Sequence, residues 1–355
     1  MRSLMSSLAT SFRRASMRLG APSLLAPACL ALAALASPAG AQQALTKLSY
    51  GTNWLAEAEH GGFYQAVVDG TYKKYGLDVT IMQGGPNNNF RLMMSSGKMD
   101  FFMGSDMIQA MSAVAEGIPT VVVAGMFQKD PQVLMSHPGE GLDTFESLKN
   151  AHVILISKAS VTSFYRWLQS AWGFSEDKVG PYNFNPAPFI ADKKSVQQGY
   201  ATSEPFAVEK IGGFKPNVFL FADNGFDTVS TTIEGRLDFV EKNPDVTQRF
   251  VDATAIGWYN YLYGDNKAAN EIIKKENPEM TDEQIAFTIA KLKQYGIVDS
   301  GESLKSGIGA MSDERMKSFY EQMAKAGVLP QGLDYKKSYT LKFVNKKVGL
   351  ELRPK

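Results

Sequence analysis

The chain has 355 residues, 44% of them hydrophobic and 21% charged, which is an ordinary globular composition with enough length for two cores. Its 37 basic and 36 acidic residues are nearly balanced, and no basic patch interleaved with aromatic residues indicates nucleic-acid binding. With only one cysteine, a disulfide framework within the chain is excluded.

The first 41 residues are predicted to be a secretory signal peptide. They contain four arginines, no acidic residue and a short apolar run that ends in Ala39-Gly40-Ala41. The alternative is a membrane anchor, which the shortness of the run and its three prolines disfavour. Cleavage after Ala41 removes Cys29 and leaves 33 basic against 36 acidic residues, a net charge of about −3. The exported chain then has no thiol for a disulfide, a nucleophile or a thiolate metal site.

The next segment alternates predicted strands and helices with short turns between them. Alternating or continuous apolar residues predict strands at LTKLSY, LDVTIM, MDFFMG and TVVVAGMF, within residues 45–127. Helical patterns follow the first three. They lie at residues 61–76, in GGPNNNFRLMMSSG after the glycine turn with Pro86 in the first turn of the helix, and at 105–117 starting at a Ser-Asp cap. This alternation predicts an α/β domain with a parallel sheet.

The pattern restarts near Lys129-Asp130-Pro131. A helix, a buried strand at 153–157, a polar turn and a second helix are predicted in order. KKSVQQGYATSEPFAVEKIG reads as a helix, a short extended piece and another helix, and NVFLFAD as a buried strand. From Arg236 onward the pattern is almost entirely helical.

Four stretches carry a family resemblance: NWLAEAEHGGFYQAVVDGTYKKYGLDVTI, SSGKMDFFMGSD, YATSEPFAVEK and GFDTVSTTI. Over residues 45–340 the chain resembles the NMT/THI-like group, the thiamine-pyrimidine type, of ABC-transporter substrate-binding proteins. The resemblance implies a type II periplasmic-binding-protein fold, with two α/β lobes joined by two crossing segments around a ligand cleft. Lobe 1 would comprise 45–128 and 229–340, with its helical C-terminal part, and lobe 2 would comprise 129–228.

The first candidate lip of that cleft is the turn TNWLAEAEHGG, because ligands of open α/β sheets bind where strands end and helices begin. Trp54 offers a flat face for a planar ligand, or else caps the core. His60, expected to be neutral, either hydrogen-bonds the ligand or lies on a surface turn. Tyr64 would reach the cleft with its hydroxyl, whereas Glu57 and Glu59 are expected to be solvated.

Three more turns supply polar candidates. In GGPNNN, Asn87 either binds a polar ligand edge or caps a helix. Ser105 begins another helix beside Asp106, which is a candidate cap. In SKASVTSFYRW, the resemblance places Ser160 and Thr162 where relatives bind the polar part of a ligand. There Tyr165 either contributes to the site or packs the helix, and Arg166 either meets an anion or is solvated.

Two acidic residues complete the predicted site. Glu204 precedes a proline, accepts two hydrogen bonds and would favour an amino-heterocyclic or cationic ligand while repelling anions. The resemblance gives a glutamate of aminopyrimidine-binding relatives this role, and the alternative is a solvated turn residue. Asp227 is expected near the second crossing segment, where it contacts ligand or braces the hinge.

The sequence favours a binding protein over an enzyme, with no cofactor and no metal. Its three histidines lie far apart and form no metal-binding motif, and neither a P-loop nor a G-x-S-x-G elbow is present. The predicted ligand is a nitrogen heterocycle such as a thiamine-pyrimidine precursor; an aromatic or sulfonated acid is the alternative. The resemblance implies a periplasmic monomer that delivers its solute to a membrane permease driven by an ATPase. A sensor subunit and a pyrimidine-synthase-like enzyme remain the other function classes.

Overall fold

The protein is described by a computed structural model that covers residues 44–85 and 90–354. The predicted signal peptide and Asn87 lie outside the described residues. Within these ranges, no helix is both long and apolar enough to cross a membrane.

Two five-stranded sheets form the framework. The first has the strand order β2-β1-β3-β10-β4 and the second β7-β6-β8-β5-β9. The strands are β1 Thr46–Gly51, β2 Leu77–Met82, β3 Phe101–Asp106, β4 Thr120–Phe127, β5 Gln132–Ser136, β6 Ile154–Ile156, β7 Val179–Pro181, β8 Val196–Tyr200, β9 Asn217–Leu220 and β10 Ser230–Arg236. The α/β class predicted from the sequence is confirmed.

Both sheets are mixed, which corrects the prediction of a parallel sheet. In the first sheet β1 pairs in parallel with β2 and β3, whereas β10 runs antiparallel to β3 and β4. In the second, β6 is parallel to β7 and β8, whereas β5 is antiparallel to β8 and β9. The antiparallel strands arise because the chain leaves the first sheet after β4 and returns to it as β10. The positions predicted as lobe boundaries, 128/129 and 228/229, lie in these two crossings, and the division into lobes stays a prediction.

The α-helices cover the sheets and make up most of the C-terminal third. They are α1 Gly61–Val68, α2 Thr71–Lys74, α3 Phe90–Ser95, α4 Met107–Ala115, α5 Lys158–Val161, α6 Phe164–Trp172, α7 Ala187–Ala191, α8 Glu204–Gly212, α9 Leu237–Lys242, α10 Pro244–Tyr263, α11 Lys267–Glu276, α12 Asp282–Gln294, α13 Ser303–Ser306 and α14 Asp313–Lys325. Short 3-10 turns lie at Ala58–His60, Glu146–Asn150, Glu176–Lys178, Phe221–Asn224, Tyr335–Ser338 and Leu350–Leu352.

Among the predicted elements that differ from the structure, two bear directly on the framework of the site. The helix expected over 61–76 is interrupted at Gly70, whose φ of 74° is left-handed, and continues as α2. The helix expected at KKSVQQ is instead the buried strand β8, flanked by α7 and α8. Glutamine favours helices intrinsically, but pairing between β5 and β6 overrides that preference.

Helix α10 fixes the position of the turn that follows β1, which the sequence predicts to border the cleft. A Cβ added at Gly61 would meet the Tyr261 ring at 2.0 Å, and one at Gly62 would meet Trp258 at 2.2 Å. The glycine pair therefore lets α1 lie directly against α10, and this contact holds the preceding turn, Glu57 to His60, at the edge of the first sheet.

Candidate ligand-binding cleft

A cavity of about 710 Å³ lies between the two sheets and is lined by residues of both. Its walls are the turn after β1, the β3–α4 junction, the β6–α5 turn and the β8–α8 turn. These are carboxyl ends of strands, where open α/β sheets bind ligands. The volume suits a small molecule rather than a macromolecule.

Two aromatic side chains from opposite walls meet in this cavity. The rings of Trp54 and Phe184 lie 5.0 Å apart at 42°, with Tyr182 packed behind Phe184 at 5.3 Å. Phe184 is 56% exposed and has a left-handed φ of 59°, an uncommon conformation for a bulky residue. The structure thus adds Phe184 to the candidate site, beside the predicted Trp54.

Four glutamates also line the cavity: Glu57 and Glu59 from the first wall, Glu204 from the second, and the exposed Glu116 at the end of α4. The expectation that Glu57 and Glu59 are solvated is wrong, since Glu59 is only 3% exposed and Glu57 is half-buried. Glu59 Oε1 has no hydrogen-bond partner among the described residues. The cavity is therefore more acidic than the sequence indicated.

Burial shifts the carboxyl groups of Glu57, Glu59 and Glu204 in the same direction, and repulsion adds to the shift of Glu57 and Glu59. Burial raises the pKa of Glu59 to about 7, with the Thr202 hydroxyl opposing the shift and Glu204 adding to it. Burial also raises the pKa of Glu57 well above its usual range, and the charges of Glu59 and Glu204 raise it further. The pKa of Glu204 is raised by burial and lowered in part by its hydrogen bonds. Each group thus gains from a positive charge placed in the cavity.

Glu204 is held rigidly in the second wall. The Tyr200 amide donates to its Oε2 at 2.6 Å, and the Tyr182 hydroxyl donates to its Oε1 at 3.1 Å. A Cβ at Gly199 would meet the Glu204 side chain at 2.8 Å, so the glycine makes room for it. Each carboxylate oxygen can accept further hydrogen bonds, so Glu204 still presents an acceptor edge.

The one basic residue found in the lining, Arg91, is already paired. Its Nη2 lies 2.8 Å from Oε2 of the fully buried Glu234, and its Nη1 donates to the Gln109 carbonyl at 3.1 Å. Asp106, also in the lining, accepts from the Ile108 amide at 2.8 Å and so caps α4 as anticipated. Within the described part of the chain, the cavity thus has an excess of acidic groups.

Five of the predicted site residues line the cavity: Trp54, Ser105, Ser160, Thr162 and Glu204. The hydroxyl oxygens of Ser157 and Ser160 are 2.8 Å apart and share a hydrogen bond. The Ser157 amide donates to Oε1 of Gln198 at 2.6 Å. Ligand contact by these five residues stays a prediction.

Four others lie outside the cavity lining. His60 is buried behind Glu57, 3.4 Å away between Nε2 and Oε1, and burial lowers its pKa to about 3, so it is neutral. The Tyr64 hydroxyl donates to Glu276 at 2.6 Å, and that of Tyr165 to the Ser175 carbonyl at 2.7 Å. None of these three side chains lines the cavity, so nothing in the structure supports their predicted contact with a ligand.

Asp227 is the fourth, and it lies in the crossing that leads to β10. Its carboxylate lies 2.7 Å from Nη2 of Arg315, which donates to the carbonyls of Gln128 and Thr228. Arg166, a weaker candidate, is exposed and donates to the Gly327 carbonyl instead of an anion.

Little in the sequence indicates that Glu57, Glu59 and Phe184 line the cavity. The spacing of Glu57 and Glu59 in AEAEH is consistent with two residues that reach one cavity, but their charge argued for solvent. Phe184 lies in YNFNPAP, a stretch without helical or strand periodicity, and nothing there distinguishes it from a loop residue. The described residues contain no group of three or more His, Cys, Asp or Glu able to hold a metal ion.

A sequence model described as NMT1/THI5 like matches residues 57–269, more than half of the chain. The chain belongs to the NMT1/THI5-like family. Among curated proteins, it is 25% identical over 107 residues to the 4-amino-5-hydroxymethyl-2-methylpyrimidine phosphate synthase of Schizosaccharomyces pombe. That match covers 30% of this chain and 31% of the synthase. This NMT1/THI5-like chain thus spans about a third of the length of the curated relatives it matches.

Solved structures establish the fold. The periplasmic aliphatic sulphonate binding protein SsuA of Escherichia coli superposes with a TM-score of 0.61 at 14% identity, over 82% of this chain and 91% of that one. A Candida albicans protein described as having the generic periplasmic binding protein fold gives 0.53 at 16% identity, over 83% and 96%. The NMT1/THI5-like chain therefore has the periplasmic-binding-protein fold.

Proposed function

We propose that this NMT1/THI5-like protein is the solute-binding component of an ABC importer, and that it captures a small planar nitrogen heterocycle by closing its two lobes. The observation that carries the proposal is the pairing of a flat aromatic surface, Trp54 and Phe184, with the fixed carboxylate of Glu204 in a cavity between the lobes. A thiamine-pyrimidine-like ring carries both an aromatic face and amino donors, so it matches these features.

The mechanism follows from which wall each group occupies. Trp54 comes from the first lobe and Glu204 from the second, so only a ligand that touches both stabilises the closed form. The ring packs on Trp54 and Phe184, and its amino group donates to Glu204. The closed form then docks on a permease driven by an ATPase. Periplasmic location, export by the N-terminal segment and a monomeric state belong to the same proposal.

An aromatic or sulfonated acid is a poorer fit. A carboxylate or sulfonate in the cavity would face Glu57, Glu59 and Glu204, while the guanidinium of Arg91 is held by Glu234. Placing an anion beside buried carboxylates is unfavourable unless a cation compensates it. The SsuA likeness therefore supports the fold and the transport role without supporting a sulfonate ligand here.

A binding role is also favoured over a catalytic one. The described residues contain no cysteine, and the one histidine beside the cavity, His60, is buried and neutral. Glu59 and His60 do not form a proton-relay pair, because His60 contacts Glu57 instead. The pyrimidine phosphate synthase activity of the yeast relatives is therefore not transferred to this chain.

The test is a thermal-shift screen of the purified protein against pyrimidines, purines, flavins and aromatic acids. Heterocycles with amino groups should raise the melting temperature, since a ligand at about 100 times its Kd stabilises by about 2.7 kcal/mol. Stabilisation by aromatic acids alone would overturn the proposal.

A substitution of Glu204 makes the screen specific. Glu204→Gln preserves the shape but replaces an acceptor oxygen with a donor, so heterocycle affinity should fall about 10- to 100-fold by isothermal titration calorimetry. Glu209→Gln, on the exposed side of the same helix, is the matched control and should bind normally. Full affinity in Glu204→Gln would remove Glu204 from the site.

A further inference from the structure

We infer that Glu57 and Glu59, facing Glu204 across the cleft, form a cation subsite, so that the protein takes its ligand in a positively charged form and the charge itself drives closure. This inference rests on the proposed function and adds to it the ionisation state of the ligand. It identifies two further specificity residues in the first lobe.

The first step is geometric. Glu57 and Glu59 belong to the 3-10 turn and its N-cap that follow β1, and both line the cavity. The contact between α1 and α10 holds this turn in place, through Gly61 and Gly62. The two carboxylates are therefore fixed groups of the first wall rather than mobile surface residues.

The second step concerns the missing partner of Glu59. Its side chain is almost fully buried, and Oε1 accepts no hydrogen bond from any described residue. A buried carboxylate oxygen without a partner costs free energy, and a ligand donor in the cavity would supply the partner. His60 contributes no compensating charge, because burial keeps it neutral.

The third step is the charge balance around the subsite. The titratable groups that face the subsite come from both walls of the cavity, and the one fixed cation in the described lining is paired with Glu234. They are Glu57, Glu59 and His60 of the first turn, Tyr64 of α1, Arg91 of α3, Asp106 of β3, Glu116 after α4, Tyr182 after β7, Tyr200 of β8, Glu204 of α8 and Tyr261 of α10. A monocation there would offset repulsion among three carboxylates.

As a consequence, closure of the lobes depends on the charge of the ligand. Without a ligand, closing the cleft brings the carboxylates of Glu57 and Glu59 toward that of Glu204, and repulsion between these groups when ionised disfavours the closed form. An amidinium or ammonium group between them attracts both lobes at once. A neutral ligand of the same shape leaves the repulsion in place and binds more weakly.

Three isosteric probes separate charge from shape: benzamidine, which is cationic, benzamide, which is neutral, and benzoate, which is anionic. All three have a planar ring, so their packing against Trp54 and Phe184 should contribute equally to binding. By calorimetry at pH 7.5, we expect benzamidine to bind at least about 10-fold more tightly than benzamide, in line with a charge-assisted hydrogen bond, and benzoate not to bind.

The same titrations, repeated at several pH values, show whether binding releases or takes up protons. Benzamidine stays charged through neutral pH, so any pH dependence belongs to the protein. Its binding favours ionised carboxylates, so affinity should fall as the pH is lowered from 8 to 5, through the pKa of Glu59 near 7. Titrations in buffers of different ionisation enthalpy should show net proton release at pH 7.

The variants Glu57→Gln and Glu59→Gln should each reduce benzamidine affinity about 10-fold and raise benzamide affinity, because they remove part of the repulsion that opposes closure, whereas Glu209→Gln should change neither. Using two variants covers the case in which one fails to fold. Equal affinities for benzamidine and benzamide overturn the cation subsite while heterocycle binding can still stand. Binding of neither probe overturns the inference, and failure of the heterocycle panel as well overturns the proposed function.

Discussion

At the residue scale, the candidate site depends on a few side chains whose surroundings give them their properties. Glu204 was predictable because a Glu-Pro turn in the second half matched a family motif. Glu57 and Glu59 were not, because residue type alone places glutamate in solvent, and only the packing of α1 on α10 brings them to the cavity wall. Tyr64 shows the converse: it was expected to reach the cleft with its hydroxyl, but it lies outside the cavity lining and donates to Glu276.

Phe184 provides the residue-scale prediction. Phe184→Asn removes the ring and keeps a residue that tolerates the left-handed backbone, so the fold should be retained while heterocycle affinity falls about 5- to 10-fold. Calorimetry and a melting curve measure both effects. Phe206→Ala is the control, because Phe206 packs on Phe287 away from the cavity. Unchanged affinity in Phe184→Asn would show that the Trp54–Phe184 contact plays no part in binding.

At the element scale, helix α14 braces both crossings through Arg315. Its guanidinium donates to carbonyls on each crossing and pairs with Asp227, so one side chain ties the hinge to the helical C-terminal part. The sequence indicated a hinge role for Asp227 as one alternative. It gave no sign of Arg315, because the partners lie 187 and 87 residues away along the chain.

Arg315→Met should destabilise the protein by about 2–3 kcal/mol, because buried carbonyls lose a charged donor. Differential scanning calorimetry should show a lower melting temperature. Lys317→Met, on the exposed face of the same helix, should leave it unchanged within about 0.5 kcal/mol. A melting temperature for Arg315→Met equal to that of the wild type would contradict the stabilising role of Arg315 at the two crossings.

Strand prediction failed where polarity concealed burial. Gln197 and Gln198 are both buried in β8, and the central position of that strand between β5 and β6 cannot be read from local propensity. Fully apolar strands such as β4 were predicted correctly, because all eight of its residues are buried. The same limit applies to β10, whose antiparallel pairing depends on the return crossing.

At the scale of the whole molecule, an acidic cavity should be visible in the pH dependence of stability without ligand. In the cavity lining, the pKa of Glu59 is raised to about 7 and that of Asp106 to about 6, chiefly by burial, and the pKa of the buried Asp130, outside the lining, is also raised to about 7. A carboxyl group whose pKa is higher in the folded state stabilises most below its unfolded pKa. This contribution is lost as the pH rises through 6 to 7.

The melting temperature without ligand should therefore rise as the pH is lowered from 8 to about 5. Below that range it should fall again, because Asp143, Asp192 and Asp238 have lowered pKa values and lose their partners when protonated. Scanning calorimetry across pH 3–8 measures this profile. In Glu59→Gln, the change in melting temperature between pH 8 and pH 5 should be smaller than in the wild type. A melting temperature that climbs steadily to pH 8 would contradict the acidic cavity.

The central claim is that the cleft holds a planar nitrogen heterocycle against Trp54 and Glu204. A crystal structure of the protein with 4-aminopyrimidine tests it most directly. The account predicts density for the ring packed on Trp54, with its amino nitrogen within hydrogen-bond distance of Glu204. A ring bound elsewhere on the protein, or an anion in the cleft held by Arg91, would contradict it.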